Sequence, residues 1–296
     1  MTIELNSTAE QSAAKKMDAQ TKRALQAKLR QFYERELTDG QRAYFNVRDG
    51  NLIPTRMGKH WLAEHQRVFA ELLKLSARDV FLDVGCGEGY YTMPLAQTTR
   101  FSVGADVSSS VLQLMQSLRV YDAQKLAACV MDVEKLPFAS QMFDKALCSH
   151  LLEHVLDDRA VVSEIQRVVK PNGIAVFAIP LKYTTPYRAL RGAENIARKI
   201  FRPHKKPAPV ASPGELDVRL VGKQAHIRHY SVSVFTKMLD EMGFTVKRVV
   251  GMWFHDPRHW LVYQTQPRAF FYNLGTRIAK LDANLGAGLV VQTIRR

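Results

Sequence analysis

"VFLDVGCGEGYYT", residues 80–92, sets a largely apolar run directly ahead of Gly85, Gly87 and Gly89, three glycines in five positions. Such a turn brings the backbone close to a ligand. A dinucleotide fingerprint places its glycines first, third and sixth, but the sixth position from Gly85 is Tyr90, so the third glycine falls one place early. A P-loop is excluded because no Gly-Lys-Ser/Thr follows.

Outward from this loop the pattern alternates. Strand-like runs at 101–105, 127–131, 145–149 and 174–179 are separated by helical stretches at 91–97, 109–118 and 158–169. Continuous apolar strands alternating with helices imply an α/β chain with a parallel sheet covered on both faces. "KPNG", 170–173, stops a helix and turns the chain into the next strand. A helix at 233–242, a strand at 245–252 and a last strand at 289–294 complete a Rossmann-like, doubly wound, mostly parallel seven-stranded sheet. Upstream, helices are expected at 10–38 and 59–75. The domain reading is an N-terminal helical extension at 1–58 and a main domain at 59–296. Within it, a basic insertion at 181–228 and an aromatic insertion at 253–288 are expected to form an acceptor lid.

Carboxylates at strand ends narrow the ligand. Asp106 ends the second strand, 21 residues after Gly85, where it can accept two hydrogen bonds from a ribose diol. Asp132 ends the third strand in "VMDVEKLPF" and can accept from an adenine amino group. Either Asp alone could be a helix N-cap, and the glycines alone a tight turn. Together at successive strand ends they suit a nucleoside carrying positive charge and no phosphate, since two acids repel phosphate.

On these residues the chain resembles the class I S-adenosylmethionine-dependent methyltransferases, within them the small-molecule methyltransferases. "LDVGCGEGYYT", "VGADVSSSVL" and "DVEKLPFASQMFDKALCSHLLEHV" resemble the family's successive motifs, and "EIQRVVKPNGIAVFAIP" its later helix, turn and strand. The resemblance covers residues 60–180 and implies S-adenosyl-L-methionine as cofactor, with no metal. Asp83, Gly85, Gly87 and Gly89 would line its methionine side. Asp106 would hold the ribose, Asp132 and the backbone of Val133 the adenine, and Ser149 the sulfonium end. Glu88 and His150 depart from the pattern, the second where chemistry occurs.

Methyl transfer to a protonated nucleophile needs a base, and His150, His154, His226 and His229 are the candidates, His150 first. The acceptor is read from the segments the resemblance leaves out. Residues 182–206 carry eight Lys/Arg against one acid, within a chain of formal charge +14. Their amphipathic pattern suits an anionic membrane surface. With the aromatics between Trp253 and Tyr272, this points to a lipophilic small molecule such as a quinone, isoprenoid, polyketide or lipid-linked molecule. An RNA methyltransferase is the alternative, disfavoured because the fourth strand runs into "CSHLLEH" rather than Asn/Asp-Pro-Pro-aromatic. A binding protein without activity is the third. Cys86, Cys129 and Cys148 form no CxxC pair, and no run nears the length of a membrane span. A cytoplasmic chain, peripheral to a membrane, is the resulting expectation.

Overall fold

The computed structural model of the protein describes residues 19–38, 45–55, 58–182, 212–221, 226–252 and 277–296. Its centre is a seven-stranded sheet made of β3 (Val80–Val84), β4 (Phe101–Asp106), β5 (Leu126–Val130), β6 (Phe143–Ser149), β7 (Val169–Pro180), β8 (Phe244–Met252) and β9 (Gly288–Arg295). The spatial order is β5-β4-β3-β6-β7-β9-β8. Pairings among β5, β4, β3, β6 and β7 are parallel, while β9 runs antiparallel to both β7 and β8. The chain leaves β3 towards β4 on one side and returns to β6 on the other. The crevice at the carboxyl ends of β3 and β6 is therefore the switch point where such sheets take ligands.

Both faces of the sheet are covered, which is why β3 is buried along its whole length. Side chains alternate between the two layers with the period of a strand. Phe81, Leu147 and Val176 pack with Val68, Phe69, Leu72 and Leu73 of α2 (Gly58–Leu73). Their neighbours Leu82, Ala146, Cys148 and Phe177 pack against Val161, Val162, Ile165 and Val168 of α5 (Asp158–Val168). Phe235 and Leu239 of α6 (Val232–Glu241) join that second layer. Each such fully buried large side chain contributes about 1.5–3 kcal/mol. Short α3 (Thr92–Ala96) and α4 (Ser109–Ser117) cover the β4 side. Serine or aspartate starts α4, α5 and α6: Ser108 accepts from Val111 N, Asp157 from Ala160 N and Ser231 from Val234 N.

Two features depart from the sequence reading. "KPNG" does not precede the strand; it bulges out of β7. Phe143 pairs with Val169 and Lys145 with Ile174, so four residues face one, and Asn172 takes φ 61° to make the excursion. Lys170 then meets Asp144 Oδ1 at 2.6 Å, while Asp144 Oδ2 accepts from Val80 N at 2.8 Å, clipping β7, β6 and β3 together. The second feature is a hairpin in the N-terminal extension, β1 (Phe45–Arg48) and β2 (Asn51–Pro54), which turns on Asp49 and Gly50 with both φ positive, the signature of a two-residue turn. Gly50 O accepts from Arg119 N, which docks the hairpin beside the end of α4.

The helix expected in the extension is α1 (Ala19–Thr38). Its Leu25 and Leu29 are buried against Leu156, Val221 and Ile227, and Lys22 reaches Glu134 Oε2 at 2.6 Å. Apart from Lys182, the basic segment 182–206 lies outside the described residues, as do the aromatics Trp253 to Tyr272. Among the described residues no helix is long and apolar enough to cross a membrane.

Candidate functional site

The expected ligand residues all stand at the carboxyl edge of four adjacent strands, β5, β4, β3 and β6. Asp83 is the penultimate residue of β3 and is buried, and its Oδ2 accepts from Thr92 Oγ1 at 2.5 Å. Burial pushes its carboxyl up to about 7, with the Thr92 hydrogen bond opposing and the Asp106 charge adding to the rise. Asp106 closes β4 and ties the glycine loop to it. Its Oδ2 accepts from Gly87 N and its Oδ1 from Ser108 N, each at 3.0 Å. A carboxylate has further lone pairs, so a diol can still be received there.

All three glycines take a left-handed backbone, Gly85 and Gly89 at φ 75° and Gly87 at φ 53°, and they differ in what surrounds them. A Cβ on Gly85 would stand 2.8 Å from Leu151 Cδ1, and one on Gly89 2.8 Å from Met115 Cε, so both positions are closed by packing. At Gly87 no atom lies within 4 Å of the would-be Cβ, and the backbone is left-handed at φ 53°. That position is the side of the loop on which the protein leaves room. Cys86 beside it packs against Gly104, and burial pushes its thiol well above the ordinary range, so it is a spacer rather than a nucleophile.

Beyond β5, Asp132 is exposed and Val133 buried. Asp132 Oδ1 accepts from Glu134 N at 2.9 Å, holding the turn in which Val133 sits. Ser149 ends β6, and its Oγ is buried without a hydrogen-bond partner among the described residues, a polar atom at the place expected to face a ligand.

The next residue, His150, is held in the left-handed region at φ 53°, a conformation that costs a non-glycine residue about 1–3 kcal/mol and concentrates at functional sites. Its Nε2 lies 3.4 Å from His65 Nε2, and its Nδ1 3.4 Å from Glu153 Oε1. His65 Nδ1 is 2.9 Å from the Trp61 carbonyl, which only an N–H can satisfy. His65 Nε2 is then the acceptor, and the hydrogen between the two rings belongs to His150. Burial first, and the neighbouring His150 second, push His65 down to about 3, consistent with that neutral ring.

Glu153, which the sequence reading passed over, is fully buried. Burial alone would raise its carboxyl, but His154, His150 and His226 together outweigh that and hold it down at about 2. His154 Nε2 stands 3.6 Å from Glu153 Oε1. The segment carrying His226 and His229 is laid beside this turn by backbone and side-chain bonds. Ile227 N donates to Glu153 O at 2.9 Å. Buried Arg228 donates to the carbonyls of Val155 at 2.9 Å and Leu156 at 2.8 Å and faces Asp158 at 3.5 Å. Tyr230 OH donates to Asp158 Oδ2 at 2.7 Å. Burial pushes both His226 and His229 down to about 4. The four histidines nominated as candidate bases thus fall at one end of the sheet, and Glu153 is what draws three of them together.

Residues 82–177 match the family model of a methyltransferase domain. The sheet order with its antiparallel β9 is that of the class I methyltransferase fold, and the matched residues run from β3 to β7 of it. A ubiquinone biosynthesis O-methyltransferase of Brucella ovis is 26% identical over 174 residues, covering 58% of this chain and 66% of that relative. The chain thus spans just under two thirds of that relative's length. An S-adenosylmethionine-dependent methyltransferase from Mesorhizobium loti superposes with TM-score 0.53 at 17% identity, over 78% of this chain and 96% of the other. The [4+2]-cyclase SpnF superposes with TM-score 0.52 at 17% identity, over 86% of each chain. Since one of these folds is named a cyclase, the fold alone does not fix the chemistry; the residues of the site do.

Proposed function

We propose that this protein transfers a methyl group from S-adenosyl-L-methionine to a small lipophilic acceptor of the quinone type. The observation that carries this is the rim itself: buried Asp83, the open face of Gly87, Asp106 and Asp132 follow one another along adjacent strand ends. When bound, the cofactor supplies a methyl group on a positively charged sulfur, already activated for in-line displacement.

The chain's own residues do the rest. Asp106 receives the ribose hydroxyls while its bonds to Gly87 N and Ser108 N fix its orientation. Asp132 and the Val133 backbone meet the adenine edge, and Asp83, with Gly85, Gly87 and Gly89, accommodates the cationic methionine end. Ser149 Oγ gains a partner at the sulfonium end. Alignment and exclusion of water are the main catalytic contributions. Both ring nitrogens of His150 already face protein partners, which suits a positioning role better than a base. The quinone-type acceptor rests on the Brucella ovis relative's name, and contact with an anionic membrane through 182–206 on charge.

Incubation of the full chain with S-adenosylmethionine labelled in its methyl group and fractionated cell extract tests the reading. Label is expected in the lipid fraction. Label confined to nucleic acid would replace this acceptor with RNA, and cofactor binding with no label in any fraction would leave a binding protein.

A further inference from the structure

We propose that Lys22, on helix α1 of the N-terminal extension, is a positioning residue for the adenine end of the cofactor site. The turn after β5 carries Asp132 and Val133, the expected adenine contacts, and its two halves are held differently. The far half is tied to α5: Leu136 N donates to Glu164 Oε2 at 2.8 Å, and Arg167 donates to the carbonyls of Leu136 at 2.9 Å and Phe138 at 2.7 Å. The near half depends on Glu134. Its amide donates to Asp132 Oδ1 at 2.9 Å, and its Oε1 accepts at 3.1 Å from the backbone N–H of Asp157, the residue that caps α5. Its Oε2 is buried, and the group that meets it among the described residues is the Lys22 ammonium, 2.6 Å away.

The Glu134 side chain is only 8% exposed, and Asp157 stands 3.7 Å from the same ammonium. A nearly buried carboxylate among other acids is costly unless a cation offsets it. Burial alone would push the Lys22 ammonium down, but Glu134 first, then Asp157 and Asp132, outweigh that and hold it up. Without Lys22, Glu134 is better solvated turned out to water. That movement breaks its bond to Asp157 N and draws its own amide away from Asp132, loosening the residues that face the adenine. Helix α1 can hold Lys22 there because Leu25 and Leu29, three and seven residues further on, seat the same helix face on Leu156, Val221 and Ile227. The N-terminal extension is thereby part of the cofactor site. This inference rests on the reading of Asp132 and Val133 as adenine contacts.

The test is calorimetric binding to the full chain of S-adenosylhomocysteine and of methylthioadenosine, which lacks the amino-acid end. Lys22→Met and Lys22→Gln should weaken both by the same factor, about tenfold, as for one charge-assisted contact discounted for the partial exposure of the lysine. Lys22→Arg should keep wild-type affinity, as should Lys28→Met on the exposed side of α1. In a Glu134→Gln background the loss at Lys22 should vanish, because no buried charge remains to be offset. Circular dichroism checks that each variant is folded. Unchanged affinity in the folded Lys22 variants overturns the proposal, as does an equal loss with and without the Glu134 charge. A loss confined to S-adenosylhomocysteine moves the effect to the amino-acid end and overturns it too. Neither measurement needs an acceptor. A wild-type chain that binds neither compound overturns the cofactor reading itself, and the proposal with it.

Discussion

At the level of single residues, Asp83 offers the clearest pH signature. Its folded-state carboxyl stands at about 7, whereas an unfolded aspartate titrates near about 3.9. Between those values the folded chain holds a proton that the unfolded chain has lost, so stability must fall as pH rises. The contribution is fully present below about pH 4 and gone above about pH 7. Thermal unfolding of the ligand-free wild type and Asp83→Asn from pH 4.5 to 8 checks this. The wild type should lose ground to the variant as pH rises, and parallel curves would show that Asp83 is not held protonated. A cationic ligand end beside the carboxylate acts in the opposite sense and should flatten the difference. This part of the site was legible in sequence because its determinants are local: a buried strand, its terminal carboxylate and a glycine turn adjoin in the chain. What surrounds each glycine was not legible, since Leu151 and Met115 crowd Gly85 and Gly89 from other elements.

Among elements, the decisive junction is between the turn after β6 and the segment ahead of α6. Arg228 is its fastener, donating to backbone carbonyls 72 and 73 residues away and pairing with Asp158. Replacing it with methionine keeps the bulk but strips hydrogen bonds from buried carbonyls and leaves Asp158 with only the Tyr230 hydroxyl and the Arg159 N–H as partners among the described residues. Breaking such a pair costs about 3–5 kcal/mol. Urea unfolding of Arg228→Met should show that loss, and hydrogen exchange should show the Ile227 amide released first. S-adenosylhomocysteine affinity should change little, because its expected contacts lie on other strand ends. Unchanged protection at Ile227 would mean that packing of α1 alone holds the junction. None of this could be read from spacing: His65 and His150 are 85 residues apart, and nothing in the sequence around Glu153 singles it out. The hairpin is a different kind of miss, because Asp49-Gly50 between alternating apolar residues is a strong local turn signal. The bulge in β7 hid because Pro and Gly in "KPNG" mark a break in pairing without saying whether a strand begins there or continues past it.

For the molecule as a whole, the distribution of charge bears on where it works. Residues 58–182, which contain the cofactor rim, carry thirteen Lys/Arg and fourteen Asp/Glu, so the formal excess of +14 belongs to the rest of the chain. Seven of the outlying cations fall within 183–206. A near-neutral segment bearing the candidate site and a strongly basic stretch elsewhere in the sequence form the charge pattern expected of the proposed work at an anionic surface. Each Lys or Arg near such a surface contributes about 1 kcal/mol, screened over a Debye length of roughly 8 Å at physiological salt. The full chain should therefore sediment with vesicles containing anionic phospholipid and stay in solution with neutral ones. Raising salt should release it, and neutralising Arg198, Lys199, Arg202, Lys205 and Lys206 together should abolish sedimentation while leaving S-adenosylhomocysteine binding intact. Equal partition onto neutral and anionic vesicles would remove the electrostatic argument for a membrane-borne acceptor.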